Sequence, residues 1–333
     1  MGENNFNDII VDYVLKNTPN NVVPVSRIME ILDLSKETAY RRLRKEVPFT
    51  FDEVSKLALA LNFSIDELIE GSKKETFSFD LQSKIVSPAT NAYFSQFQEY
   101  NNYLKKLITA KHSEIFITLN EFPPIFFVLS DQLFKFCYFQ WLYSHSEKPV
   151  LCSFSDLTLN PQLLALKEEI FTNITKMDNV SVIMSSYVYL RTIKSIQYYY
   201  QCKLITADEL LLLKQDMLDF INLTATLAKT GYVNDETKVD IDVYLSPLNI
   251  NSNILFLEYD TIRETHFWIY PMNPCIIRNP EICSIQKKWC QSLKKQSMFV
   301  TLSGEIFQAE FNEKQRAYAE IYLSANAKFT YVY

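Results

Sequence analysis

Hydrophobic residues recur at helical spacing through the first seventy residues, and a mixed pattern follows. Apolar positions three and four residues apart predict amphipathic helices, whereas alternation of apolar and polar residues predicts strands. Before residue 75 the pattern is helical only, in five short segments. The chain is therefore predicted to hold an all-α N-terminal domain, residues 1–74, followed by a mixed α/β C-terminal region, residues 75–333, with a possible sub-boundary near 232–237.

The elements of the second region follow from the same patterns. Helices are predicted at residues 91–110, 125–143, 160–175, 187–202, 207–229, 281–296 and 312–324. Strands are predicted at residues 113–119, 179–185, 238–245, 254–259, 265–270 and 298–302. Thr206 and Glu209 form a capping-box pattern before the 207–229 helix. The early alternation of helix and strand predicts an α/β layer, and the later strands predict an antiparallel extension.

Two helices joined by a tight turn are predicted within residues 24–46. Asp33 lies in the turn, where Asp tolerates a left-handed backbone. Ser35 is a good N-cap for the second helix, because its hydroxyl can accept from the free N–H groups of the first turn. Glu37 in that first turn complements the helix dipole.

Charge is distributed unevenly around the second of these helices. At 100° per residue, Ala39 and Leu43 define the buried side, and Arg41 points away from it. Residues 35–46 hold five basic and two acidic residues, whereas residues 1–74 hold ten basic and twelve acidic ones. The pattern predicts positive charge on one exposed helix face, which suits contacts with phosphates and base edges in the major groove of DNA.

A further helix at residues 51–61 and a short one at 64–69 complete the N-terminal pattern, each behind a capping residue, Thr50 and Ser64. Residues 25–69, and more loosely 6–70, resemble the Cro/C1-type (XRE, lambda-repressor-like) helix-turn-helix domain. The family pattern of an apolar helix, a tight turn, Ser-polar-polar-Thr-small and a basic stretch is matched at 34–43. Its hydrophobic-Ser-hydrophobic-Asp-Glu-Leu close is matched at 63–68.

The resemblance covers about a fifth of the chain and implies a role for each of the two helices. The helix at 26–32 would cross the DNA backbone, and the helix at 35–44 would be the recognition helix in the major groove. Candidate base contacts are Lys36, Glu37, Thr38, Tyr40 and Arg41. Candidate phosphate contacts are Arg42, Arg44 and Lys45. Ser26 and Arg27 would anchor the first of the two helices to the DNA backbone, and the cap Ser35 is a further candidate DNA contact.

Composition excludes several other classes of site. The chain of 333 residues has four glycines, where ordinary usage gives roughly 23, so neither GxGxxG nor GxxxxGK[ST] can be written. The three histidines are far apart in the chain and the six cysteines contain no CxxC pair, so no metal site is predicted. The cysteines are predicted to be mostly buried free thiols. No catalytic residue, cofactor or metal is predicted, and no membrane-spanning segment or secretory signal is visible.

These observations together predict a cytoplasmic, sequence-specific transcriptional regulator that binds double-stranded DNA. The second region would sense a small-molecule or protein effector or mediate homodimerisation, and the aromatic 125–143 segment fits a buried helix or a subunit interface. The tyrosine-rich 187–200 segment is interpreted as core rather than as a ligand site. Two alternatives stay open: an enzyme of unknown reaction with a DNA-binding appendix, and a protein-interaction adaptor such as an antitoxin or phage-type component.

Overall fold

The computed structural model describes residues 5–18, 23–61, 63, 65, 68, 80–81, 89–145, 153–233, 237–270, 273–300 and 305–327. The chain divides into two compact units, Met1–Ser78 and Phe79–Tyr333. The predicted domain boundary near residue 75 lies outside the described residues and stays a prediction.

The first unit contains helices and no strand in its described part, as predicted. Its helices are α1 (Phe6–Asn17), α2 (Pro24–Leu32), α3 (Lys36–Leu43) and α4 (Phe51–Leu61). Their apolar stripes meet in one core that includes Ile10, Val14, Ile28, Ala39 and Leu57. The short helix predicted at 64–69 lies mostly outside the described residues.

The second unit combines helices with one mixed sheet, which confirms the predicted fold class. Its helices are α5 (Ala89–Thr109), α6 (Asp131–His145), α7 (Pro161–Ile174), α8 (Leu190–Gln201), α9 (Ala207–Thr230), α10 (Pro280–Gln296) and α11 (Glu305–Tyr322). Its strands are β1 (Asp80–Leu81), β2 (Ser113–Leu119), β3 (Val180–Ser185), β4 (Ile241–Ser246), β5 (Ile254–Tyr259), β6 (Ile262–Tyr270), β7 (Asn273–Ile277) and β8 (Met298–Phe299).

The strand order is β1-β7-β6-β5-β2-β3-β4-β8. Strands β2, β3 and β4 are parallel, and the connections between them contain α6, α7, α8 and α9. Strands β5, β6, β7 and β1 extend the sheet from β2 in antiparallel pairs, and β8 pairs antiparallel with β4. The predicted α/β layer and its antiparallel extension are both present. The sequence pattern did not identify β7, and it placed the start of α11 seven residues too late.

Aromatic side chains fill the core between the sheet and the helices. Helix α6 buries Phe134, Phe136, Phe139 and Trp141, and the Phe139 ring lies 5.3 Å from that of Tyr199. This confirms the buried-helix interpretation of the aromatic segment and leaves those side chains unavailable to a subunit interface. The tyrosine-rich segment is only partly core, since Tyr189 and Tyr199 are buried whereas Tyr187 and Tyr198 are exposed. Cys137, Cys275, Cys283 and Cys290 are buried free thiols, and Cys202 is exposed.

The single helix predicted for 125–143 is two helices. A 3-10 helix covers Pro124–Leu129, and α6 begins only after Ser130, whose backbone is extended. The reason is a cap from another element: the Asp216 carboxylate on α9 accepts from the Ser130 hydroxyl and from the N–H groups of Gln132 and Leu133, both at 2.9 Å. An acceptor supplied from α9 satisfies the first turn of α6.

Replacing Asp216 by alanine is expected to lower the free energy of unfolding of the second unit by about 1–3 kcal/mol, because three donors lose a charged acceptor. Chemical denaturation of the full chain measures this loss. Asp219→Ala is the matched control, since Asp219 is exposed on the same helix and accepts from the Gln215 side chain on the helix surface. Equal stability of the two variants would contradict the capping role.

Candidate nucleic-acid interface

The turn between α2 and α3 is set by two local features. Asp33 adopts the left-handed conformation, with φ 53° and ψ 48°, and this ends α2. The Ser35 hydroxyl accepts from the Thr38 N–H at 3.3 Å and lies 2.9 Å from the Thr38 hydroxyl, which starts α3. Both predictions, the left-handed Asp and the Ser cap, are confirmed. Together they set where α2 ends and where α3 begins.

The buried side of α3 is narrow. Ala39 is fully buried, and Leu43 is half-buried against the same core. A short side chain at residue 39 allows the backbone of α3 to lie close to the other helices. Consequently the positions opposite Ala39 on the helical wheel face solvent.

The side of α3 opposite Ala39 presents two arginines and a carboxylate. The Arg41 and Arg44 side chains are 57% and 68% exposed, and Glu37 is exposed one turn before Arg41. Both guanidinium groups approach the Glu46 carboxylate only loosely, at 3.8 and 4.0 Å. Exposed pairs of this length contribute little to stability, so both arginines can turn toward a phosphate or a base.

The remaining candidate base contacts lie around this face. Lys36 is exposed at the start of α3, and Thr38 is half-buried with its hydroxyl beside Ser35. The Tyr40 ring is 38% exposed and packs under the Arg44 guanidinium, 5.4 Å from ring centroid to Cζ. The structure thus brings Lys36, Tyr40 and Arg44 to the solvent-exposed part of α3, whereas Thr38 serves partly in the cap.

Arg42, a predicted phosphate contact, is largely buried and engaged within the first unit. Arg42 follows Ala39 by three residues and so lies only about 60° from the buried side. Its side chain is 11% exposed; one nitrogen donates to the Pro48 carbonyl, and another pairs with the Glu53 carboxylate at 3.0 Å. The second Glu53 oxygen accepts from the Thr50 N–H at 2.7 Å, within the predicted capping box. Arg42 therefore joins α3 to the start of α4.

Lys45 is also engaged within the unit. It adopts a left-handed backbone with φ 63° just after α3, and its ammonium lies 3.5 Å from Asp8 and 3.3 Å from Asp12 on α1. The sequence pattern had predicted that the five basic residues share one exposed face. They do not, because Arg42 and Lys45 are engaged within the unit. Lys36, Arg41 and Arg44 remain as the available cations of α3.

The α2 candidates occupy its first turn. Ser26 is exposed, and Arg27 pairs with Glu30 at 3.0 Å on the helix surface. The exchange of such an exposed pair for a phosphate contact costs little. A contact that sequence reasoning missed is made by Asn7 on α1, whose side chain accepts from the Phe49 N–H at 2.9 Å and fixes the loop before α4. The two residues are 42 positions apart, so no local pattern could reveal it.

Arg42→Ala is expected to destabilise the first unit by about 2–3 kcal/mol, since Glu53 and the Pro48 carbonyl lose a charged donor in a largely buried place. Thermal unfolding measures this loss. The salt dependence of DNA binding by the folded variant should equal that of the parent chain. A change of slope by nearly one unit would restore Arg42 to the phosphate contacts.

Among the described residues, no group of three or more His, Cys, Asp or Glu side chains has an arrangement that could hold a metal ion. In that same part of the chain, no helix combines the length and apolar character needed to cross a membrane.

Comparison with known proteins gives one family result. Residues 21–121 match the family model described as BetR domain. The match begins before α2 and runs beyond the first unit, through α5 and β2. It suggests a DNA-binding regulatory role for this part of the chain, whereas the finer resemblance to the Cro/C1-type family stays a prediction. No curated protein and no solved structure matches the chain.

Proposed function

We propose that the chain is a sequence-specific transcriptional regulator that inserts α3 into the major groove of double-stranded DNA. The observation that carries this proposal is the construction of α3, with Ala39 buried in the core and Glu37, Arg41 and Arg44 exposed opposite it. A helix held in this way can approach the groove without displacing a neighbouring helix. The BetR domain match supports the same role.

The proposed contacts divide by chemistry. Lys36, Glu37, Tyr40 and Arg41 are assigned to base edges, because their long polar side chains lie on the exposed part of α3. Arg44 is assigned to phosphate, and Ser26 and Arg27 anchor α2 to the backbone of the duplex. Thr38, through its half-buried hydroxyl, and Ser35, through the cap, hold the first turn of α3 in place.

We assign a regulatory or dimerisation role to the second unit and no catalytic step. Two copies of the chain would place two α3 helices on half-sites about one helical turn of DNA apart, which matches the inverted repeats that such regulators read. The aromatic side chains of α6 are buried within the unit, so the dimerisation proposed here relies on other side chains.

Selection of duplexes from a random library by the full chain tests this function. One enriched motif is expected, in two inverted copies if the chain acts as a dimer. The Arg41→Ala/Arg44→Ala variant serves as the control and should enrich nothing. A parent chain that enriches no sequence at about 0.15 M salt would show that the function lies elsewhere.

A further inference from the structure

An apolar cavity of about 170 Å³ lies inside the second unit, between the sheet and its covering helices. Its floor is formed by Ile117, Leu255 and Val182, which are direct ladder partners on the three adjacent strands β2, β5 and β3. Leu104 of α5 and Phe126 of the 3-10 helix stand over them. The cavity therefore sits over the centre of the sheet, where a covering side chain would be expected.

The burial of residues along β2 shows that the side chains at the centre of the sheet are incompletely covered. Phe116, which faces the opposite side of the sheet, is 3% exposed, and Leu119 at the end of the strand is fully buried. Ile117 between them is only partly buried, and so is its ladder partner Leu255. Partial exposure of aliphatic side chains in the middle of an eight-stranded sheet means that the layer above them leaves a void. Interiors are ordinarily packed without such spaces.

The lining defines the chemistry of an occupant. The described residues around the cavity are aliphatic, aromatic, Met or Pro, and none is Asp, Glu, Lys, Arg or His. At the edge, the Trp268 indole N–H donates to the Tyr100 hydroxyl at 3.2 Å, and the Tyr103 hydroxyl lies 3.4 Å from the Glu264 carboxylate. Their polar atoms are thus used within the protein. A charged ligand would lose its hydration here without compensation.

We propose that this cavity is a binding site for one uncharged, hydrocarbon-rich small molecule, such as a monocyclic aromatic compound of roughly six to ten carbon atoms. A cavity of about 150 Å³ with a similar lining accommodates benzene, so the volume fits this size class. The site lies within the second unit and goes beyond the proposed function. It holds whether or not the first unit binds DNA.

Titration calorimetry of the full chain with toluene tests the site, with benzoate as the charged comparison. Toluene should bind saturably at one site per chain and, at about ten times its Kd, raise the melting temperature by roughly 3–6 °C. Benzoate should bind at least tenfold more weakly. Absence of a saturable toluene signal from the folded chain, or equal binding of benzoate, would overturn the proposal.

Cavity-filling variants locate the signal. Ile117→Trp and Leu255→Trp, tested separately, each add an indole ring where the void lies. Each variant should fold with a melting temperature no lower than that of the parent, and its affinity for toluene should fall at least tenfold. Leu119→Trp on the same strand enlarges a packed position and should melt lower. Full toluene binding by both cavity variants would place the ligand elsewhere. A marked loss of stability in both would show that the space does not accept an added ring.

Discussion

Arg41→Ala/Arg44→Ala is expected to weaken binding of the full chain to its selected duplex by about 10²- to 10³-fold. Each exposed arginine contributes about 1–3 kcal/mol when it contacts a base or a phosphate. The slope of log K against log salt should fall by about 0.9 for each phosphate contact that is lost. The two side chains are more than half exposed, their ion pairs with Glu46 are long, and Arg44 packs on a partly exposed Tyr40, so the folded unit should keep most of its stability.

Fluorescence anisotropy over a series of salt concentrations measures both quantities. Lys56→Ala is the matched control, because Lys56 is exposed on α4 and should leave affinity for the selected site unchanged. The Arg41→Lys/Arg44→Lys variant keeps the positive charges but removes the planar guanidinium groups. It should retain most of the salt dependence of binding but lose affinity for the selected site, since lysine lacks the planar fork of arginine. An alanine variant with parental affinity and slope would show that α3 does not contact DNA.

The largest expected loss of stability in the second unit follows removal of Glu264. This carboxylate is 2% exposed on β6 and lies 3.0 Å from His266 Nε2 and 3.0 Å from the Tyr259 hydroxyl. Arg278 approaches the same oxygen as Tyr259, at 3.6 Å. Burial alone would raise the pKa of Glu264, but the hydrogen bond and charge of His266, with Arg278 and Tyr259, outweigh burial and hold that pKa below its ordinary value of 4.5.

Glu264→Ala is therefore expected to lower the free energy of unfolding by about 3–5 kcal/mol at pH 7, because it leaves buried partners uncompensated. Chemical denaturation of the full chain measures the loss. Glu258→Ala is the control: Glu258 pairs with Arg263 and Lys287 near the surface, and its loss should be smaller. A Glu264 variant as stable as the control would contradict a structural role for this group.

The pH dependence of stability provides a second readout of Glu264. A carboxyl group whose pKa is lower in the folded than in the unfolded chain stabilises the fold fully at a pH above the unfolded-state pKa. That stabilisation is lost as the pH falls through the folded-state pKa. The parent chain should lose stability below about pH 4.5, and Glu264→Gln should lack this component. The stability difference between parent and variant should consequently narrow as the solution is acidified. A constant difference across this range would show that Glu264 titrates alike in both states.

Local signals in the sequence predicted the elements that local physics determines. The Ser35 cap, the left-handed Asp33 and the Thr206/Glu209 capping box all depend on residues within a few positions of one another, and the structure contains all three. Strand β2 was predicted with its observed bounds, since a clear alternation sets both ends.

Features that depend on partners distant in the chain were not predictable. The break before α6 depends on Asp216, 86 residues away from Ser130. Arg42 pairs with Glu53 across the loop to α4, and Lys45 pairs with carboxylates on α1, so counting charge along the sequence overstated the cation density of α3. An unoccupied volume over β2 leaves no pattern in the sequence at all, because the cavity is lined by the same apolar residues that predict a packed core.

The central claim, that α3 reads base edges, is tested most directly by changing one side chain and repeating the duplex selection. Glu37 is exposed on the face opposite Ala39, and a carboxylate at this place accepts from cytosine N4, whereas glutamine pairs with adenine. Glu37→Gln should therefore change the preferred base at one position of each half-site from cytosine to adenine and leave the other positions unchanged. The same selected sequence from parent and variant, at equal affinity, would contradict direct reading of DNA by this helix.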